Sequence, residues 1–327
     1  MTEIFCDQIK KYFKFVINSN ELGLNEIKII DVKFLARGAS NLNYIVNVDN
    51  KKFVFRMNIL QQSSFKNQLK REFDILKYLE NENISPKAFI LDESNSFFKH
   101  DLIIIEYIEG SKIKPNFDSL SRTAKTLRKL HKMPIKQELN LKKGGYQNDL
   151  KEIEEVIVQY QNKNNFNLEF LEKIKRFYEK IKQQVNNLNI ESFCIIHRDL
   201  VGSNGIDDEN VVKLIDWEVQ KIDECFMDFG VFLSPANTLW DFGRILSEKE
   251  EMHFLKSYFE RNPNSEELKK TKLRKILASI FLAIWIENKL LDIQNDEMPK
   301  EMYDEDVINR WTRSKDGVME YLKEKLN

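Results

Sequence analysis

Cysteine is scarce in this chain of 327 residues, with three positions, Cys6, Cys194 and Cys225. Their spacing fits no metal site and their odd number leaves one over from any pairing, so a disulfide scaffold is excluded and a reducing, cytoplasmic setting is expected. Glycine and proline are also few, at 10 and 6, which rules out collagen-like and Pro/Gly-rich disordered chains. A surplus of either charge is missing: 51 Lys and Arg against 52 Asp and Glu leave a net −1. There is therefore no broad basic field for nucleic acid and no attraction to anionic lipid. Long apolar runs are absent, since Leu277 to Ile286 falls well short of the ~20 residues that cross a bilayer and reads as a buried helix. The first twenty residues break their apolar positions with Glu3, Asp7, Lys10, Lys11 and Lys14, so no secretion signal is expected. A small molecule or a protein is the expected partner, without nucleic acid or membrane.

What is present is 42% hydrophobic and 31% charged residues, a globular and helix-leaning composition. Ile4, Phe5, Ile9, Phe13, Val16 and Ile17 recur at helical spacing and predict an amphipathic helix over 2–17. Short Val, Ile and Phe-rich stretches at 27–35, 44–48 and 52–57 then read as strands, with Asp49-Asn50 as turn chemistry between the second and third. A helix is expected over 67–81, with Leu69, Phe73, Leu76 and Leu79 on its apolar face, and two more strands at 87–91 and 101–107. From Ser119 the pattern turns helical at 120–131, 149–161 and 167–187, the last two so rich in Lys, Glu and Gln that they read as solvated. Strand signals return at 192–196 and 211–215, and after Asp228 the chain reads as helical. The order implies an α+β protein, with a strand-rich domain over 1–107 and a helical one over 108–327.

The chemistry concentrates in two segments. Ile195 to Asn204 has the form H-x-D-x-x-x-x-N, and Val211 to Glu218 is an apolar strand ending in Asp216-Trp217-Glu218. Phosphoryl transfer from a nucleoside triphosphate needs a carboxylate beside the attacking hydroxyl, oxygen ligands for Mg²⁺ and cations on the phosphates. Asp199 supplies the first, as candidate base. Asn204 and Asp216 supply the second, as candidate metal ligands. Any one of these residues alone has an ordinary structural explanation; the set at this spacing does not.

With these motifs the chain resembles the protein-kinase-like superfamily, and within it the aminoglycoside phosphotransferase and choline kinase branch. The resemblance implies a two-lobed fold, with a small antiparallel-sheet lobe and a larger helical lobe carrying the catalytic loop and the acceptor site. It implies ATP or GTP as donor and Mg²⁺ as cofactor. Leu35 to Tyr44 resembles the nucleotide-covering loop, which places Gly38, Ser40 and Asn41 on the phosphates. Arg56 stands where the family carries a phosphate-contacting cation, with Glu72 as its partner on the next helix. Leu102 to Gly110 resembles the hinge, where the carbonyl of Glu106 and the amide of Ile108 would meet the adenine edge. By the same resemblance His197 and Asp228 brace the catalytic loop, while His131 is a packing residue.

The acceptor implied is a hydroxyl of a small molecule, an amino-alcohol such as choline or ethanolamine or an amino-sugar. Trp240, Asp241, Trp285, Glu287, Tyr303 and Trp311 mix aromatic faces with carboxylates, a combination that suits a cation. A homodimer is compatible with the resemblance. Arg198 makes the loop read H-R-D, so a protein Ser/Thr kinase is one alternative. Val201 two residues after Asp199, the absence of A-P-E and the short stretch from Asp216 to Asp228 oppose it. A pseudokinase-type binding module is the other; intact Asp199, Asn204, Asp216 and Arg56 oppose that.

Overall fold

Three consecutive strands, β1 (Ile30–Arg37), β2 (Asn41–Val48) and β3 (Lys51–Asn58), pair antiparallel. Asp49 and Asn50 make the second turn at φ 48° and 70°, the left-handed pair whose twist matches the flanking strands. Two further strands, β4 (Ala88–Asp92) and β5 (Leu102–Glu106), complete a sheet of order β1-β2-β3-β5-β4, antiparallel throughout. Helix α1 (Cys6–Val16) lies on this sheet through Ile9, Tyr12, Phe13 and Val16; Tyr12 meets Phe55 edge-on at 6.0 Å, and its hydroxyl donates to Asp92 at 2.8 Å. The computed structural model describes residues 5–17, 21–24, 29–38, 41–59, 68–297 and 305–326.

Helix α2 (Gln68–Leu79) buries Gln68, Leu69, Glu72, Ile75, Leu76 and Leu79. Its inner face is thus rotated from the expected one: Ile75 takes the place of Phe73, which is half-buried, and a polar pair, Gln68 and Glu72, faces inward. Two inward polar groups at i and i+4 need partners there, and they have them.

The chain divides into two compact units. One is Met1–Ser111 with Lys213–Glu218, the other Lys112–Val212 with Val219–Asn327. The segment Lys213–Glu218, read from sequence as part of the second domain, belongs to the first, and the first unit extends past Tyr107 to Ser111. Short strands β6 (Ser111–Lys112) and β9 (Val212–Leu214) mark where the chain passes from one unit to the other.

The second unit is helical: α3 (Phe117–His131), α4 (Tyr146–Gln161), α5 (Leu168–Val185), α6 (Phe226–Phe232), α7 (Pro235–Phe242), α8 (Glu248–Phe259), α9 (Ser265–Gln294) and α10 (Glu305–Leu326). It also holds β7 (Cys194–Ile196), β8 (Gly205–Asp207) and β10 (Lys221–Asp223), with β10 antiparallel to β7. Strands β6, β8 and β10 are two or three residues long, too short to leave an apolar alternation in the sequence. Helix α9 opens with a capping box from Asn264 and Glu267 and is the axis of this unit, packed by α4, α5, α6 and α10. That explains the apolar run 277–286, where Leu277, Ile280, Ala283, Ile284 and Ile286 are core. Among the described residues no helix is long and apolar enough to cross a membrane.

Helices α4 and α5 are not simply solvated, as their charge had implied. They bury Tyr146, Leu150, Ile153, Ile157 and Tyr160 on one and Phe170, Ile174, Phe177, Ile181 and Val185 on the other. An apolar stripe about one-third of a helix wide is enough to dock it, however many lysines and glutamates cover the rest.

Candidate functional site

In the first unit the site is built around Arg56 on β3. Its Nη1 donates to Glu72 at 2.6 Å and to Asp216 at 3.1 Å, and its Nε donates to Asn43 at 3.0 Å. Arg56 and Glu72 are buried, whereas the Asp216 side chain is 37% exposed. Burial raises the Glu72 carboxyl above its ordinary range against the pull of Arg56. Asp216 holds a left-handed backbone, φ 67°, a conformation that costs an Asp about 1–3 kcal/mol and is retained where surrounding contacts fix it. Glu218 receives Asn41 Nδ2 on one oxygen and Gln68 Nε2, at 2.6 Å, on the other. Burial, with Asp216 and Glu72 nearby, pushes Glu218 up to about 7.

Asn41 is thereby fastened at the start of β2, and its backbone O accepts from Gly38 N at 2.8 Å. Ser40, expected in the same loop, lies outside the described residues. At the other end of the sheet the β5 ladder finishes at Glu106, and Tyr107 N donates to Lys52 O, so the chain leaves the sheet at Ile108. The Glu106 side chain accepts from Lys87 N at 3.1 Å and Lys213 Nζ at 3.3 Å.

In the second unit Asp199 and Asn204 face each other: Asn204 Nδ2 donates to Asp199 O at 2.8 Å and to Oδ2 at 3.1 Å. Spending its amide hydrogens on Asp199 leaves Asn204 its carbonyl oxygen, a hard donor suited to Mg²⁺. The loop holding them is fixed by Asp228, fully buried, which accepts from His197 N at 2.9 Å, Arg198 N at 2.6 Å and His131 Nε2 at 3.0 Å. Burial alone would raise this carboxyl, but the hydrogen bonds and charge of His131 hold it below the ordinary range. Those contacts keep Arg198 left-handed, φ 70°. Gly202 is required by closeness: a Cβ there would stand 2.7 Å from Phe242 and 3.0 Å from Asp241.

Beside Asp199 and Arg198 opens a cavity of about 560 Å³. Trp240, Trp285 and Trp311 line it together with Phe281, Asp149 and Glu152. The two acids expected there, Asp241 and Glu287, are not among its lining residues. Glu287 accepts from Lys315 at 2.7 Å and from the Tyr160 hydroxyl at 3.2 Å, Asp241 packs on Gly202, and Tyr303 lies outside the described residues.

Among the described residues no group of three or more His, Cys, Asp or Glu side chains is arranged to hold an ion on protein ligands alone.

The site residues that sequence reasoning missed had a signal. Glu218 lies two residues after Asp216, and Gln68 lies one helical turn before Glu72. Asp149 and Glu152 are likewise one turn apart on α4. The two helical pairs each share a face by elementary periodicity.

No curated protein matches this sequence. Among solved structures, ethanolamine kinase from Plasmodium vivax is similar at 18% identity and TM-score 0.65, over 94% of this chain and 87% of that one. An aminoglycoside phosphotransferase in complex with GDP and kanamycin is similar at 14% identity and TM-score 0.65, over 96% and 99%. Amicoumacin kinase in complex with AMP-PNP, Ca²⁺ and Ami is similar at 17% identity and TM-score 0.62, over 96% of each chain. The model of the phosphotransferase enzyme family matches residues 31–269, most of the length and both of the units described above. The chain therefore belongs to the phosphotransferase enzyme family and has the fold of its kinase-like members.

Proposed function

We propose that this enzyme transfers the γ-phosphate of ATP or GTP, with Mg²⁺, to a hydroxyl of a small molecule. The observation that carries the reading is the Asp199 loop, whose carboxylate is exposed, held to Asn204 and fixed from below by the buried Asp228. A rigid, solvent-facing carboxylate is what a hydroxyl nucleophile needs. The acceptor oxygen forms its bond to the γ-phosphorus as the bond from that phosphorus to the β–γ bridging oxygen breaks. The acceptor proton passes to Asp199, and the nucleoside diphosphate leaves with the bridging electron pair.

Arg56 is assigned to the α- and β-phosphates, with Glu72 holding its guanidinium in place. Gly38, Ser40 and Asn41 are assigned to the loop over the phosphates, and the backbone of Glu106 and Ile108 to the base. Asn204 and Asp216 would hold Mg²⁺, which when bound supplies positive charge to the phosphate oxygens. Neighbours in complex with GDP and with AMP-PNP and Ca²⁺ support a nucleotide donor and a divalent ion.

The test is Mg²⁺-dependent nucleotide consumption against a panel of alcohols. Asp199→Asn is expected to lower kcat by about 10²–10⁴-fold with an unchanged melting temperature. Turnover in that variant at the wild-type rate would remove Asp199 as base.

A further inference from the structure

We propose that the acceptor is an uncharged alcohol with a largely apolar or aromatic body, seated in the cavity beside Asp199; this rests on the phosphotransfer reading above. The cavity, about 560 Å³, is within the range of roughly 300–1,000 Å³ that takes drug-sized molecules. Its walls combine the three tryptophans with aliphatic side chains such as Val231, Leu277, Leu282 and Ile286.

A cationic acceptor would need open carboxylates or open aromatic faces, and the protein already uses both. Asp149 is ion-paired with Arg274, and Glu152 with Arg198 and, at 2.6 Å, with Lys221. Of the four charged wall residues among those described, Asp149, Glu152, Arg198 and Asp199, the first three are thus neutralised within the protein, and Asp199 is reserved for the reacting hydroxyl. Trp240 stacks on Trp311 at 6.3 Å, and Arg310 lies 4.0 Å from the Trp240 ring centre. Trp285 meets Trp311 edge-on at 6.1 Å, with Lys289 5.7 Å from its own ring centre. Two of the three tryptophan rings therefore already have a protein cation against them, whose charge opposes a ligand cation there. Ser314, 1% exposed, adds a neutral hydroxyl to the wall. An apolar body gains from leaving water for such walls, whereas an ammonium would lose hydration without gaining a counter-ion.

The test uses isosteric alcohols that differ only in charge: choline, and 3,3-dimethylbutan-1-ol, in which carbon replaces the quaternary nitrogen. 3-Phenylpropan-1-ol is the larger neutral probe. Binding is read from the fluorescence of the cavity tryptophans, which needs no turnover, and transfer is read separately from Mg²⁺-dependent nucleotide consumption. The neutral member is expected to bind about tenfold more tightly than choline and the aryl alcohol more tightly still. Trp285→Ala, at a position 36% exposed and so tolerant of truncation, is expected to weaken the neutral alcohols about tenfold and leave choline unchanged. Tighter binding or faster turnover of choline, or no difference within the pair, overturns the proposal while leaving phosphotransfer standing. The expected ranking in binding with no nucleotide consumed for any alcohol sinks the phosphotransfer reading instead, and with it the role of the bound alcohol as acceptor.

Discussion

Each unit of this protein has an arginine set among carboxylates, and the two clusters differ in one respect, access to water. Arg274 is fully buried; its Nε donates to Glu224 at 2.8 Å and its Nη2 to Asp223 at 2.7 Å, with Asp149 as third partner and the Tyr146 ring 3.8 Å away. All three of its acids are nearly sealed, at 9%, 2% and 4% side-chain exposure. Arg56 is almost as buried, but its partner Asp216 is 37% exposed on a left-handed backbone. A closed cluster is a fastening, joining α4, the end of β10 with the residue after it, and α9. An open one leaves a carboxylate oxygen that a ligand can reach. The first way to break the comparison is to remove the sealed cation. Arg274→Met leaves three buried acids without their partner and is expected to lower stability by about 3–5 kcal/mol, read from urea unfolding. A loss under about 1 kcal/mol would show that the cluster is not a fastening.

A sealed cluster also leaves a mark on pH dependence. Burial holds the Asp149 carboxyl up to about 6, with Arg274 opposing and Asp223 and Glu152 adding to the rise. In the unfolded chain the same group titrates near the ordinary aspartate value of 3.8. Between these values the folded protein keeps a proton that the unfolded chain has released, so this group's contribution to stability is greatest at low pH and falls as pH rises to about 6. Asp149→Asn removes that titration. At about 1.4 kcal/mol per pH unit for one proton, with both groups only partly titrated at the ends of the interval, the variant should gain on the wild type by roughly 2 kcal/mol from pH 4 to pH 6. Parallel stability curves across that interval would mean that Asp149 is ionised throughout.

Much of this was legible in the sequence because it is local. The Asp49-Asn50 turn, the apolar spacing of α1 and the H-x-D-x-x-x-x-N run each act within one or two turns of chain. What escaped is set by distant partners. Nothing near Arg274 in α9 announces Asp223 and Glu224, which arrive from fifty residues earlier and end β10. The charged surfaces of α4 and α5 concealed their docking stripes, and an acid such as Glu287, plausible as a ligand for a cation, is taken by Lys315 on another helix. Identity and spacing can nominate a carboxylate; only packing decides whether it is already spoken for.

The open cluster makes the smaller prediction. If Asp216 is reachable by an incoming cation, Mg²⁺ with a non-hydrolysable ATP or GTP analogue should stabilise the wild type by about 2.7 kcal/mol at one hundred times its Kd. Asp216→Asn keeps the size of the side chain and an acceptor oxygen for Arg56 while removing the charge. With affinity weakened a hundredfold, the same ligand concentration would stabilise that variant by only about 0.4 kcal/mol. Asp149→Asn, altered in the sealed cluster, should respond as the wild type does. Thermal unfolding with and without the Mg²⁺ complex distinguishes these cases. An equal response from all three proteins would mean that Asp216 is as closed to ligand as the acids around Arg274, and exposure would then no longer separate a port from a fastening.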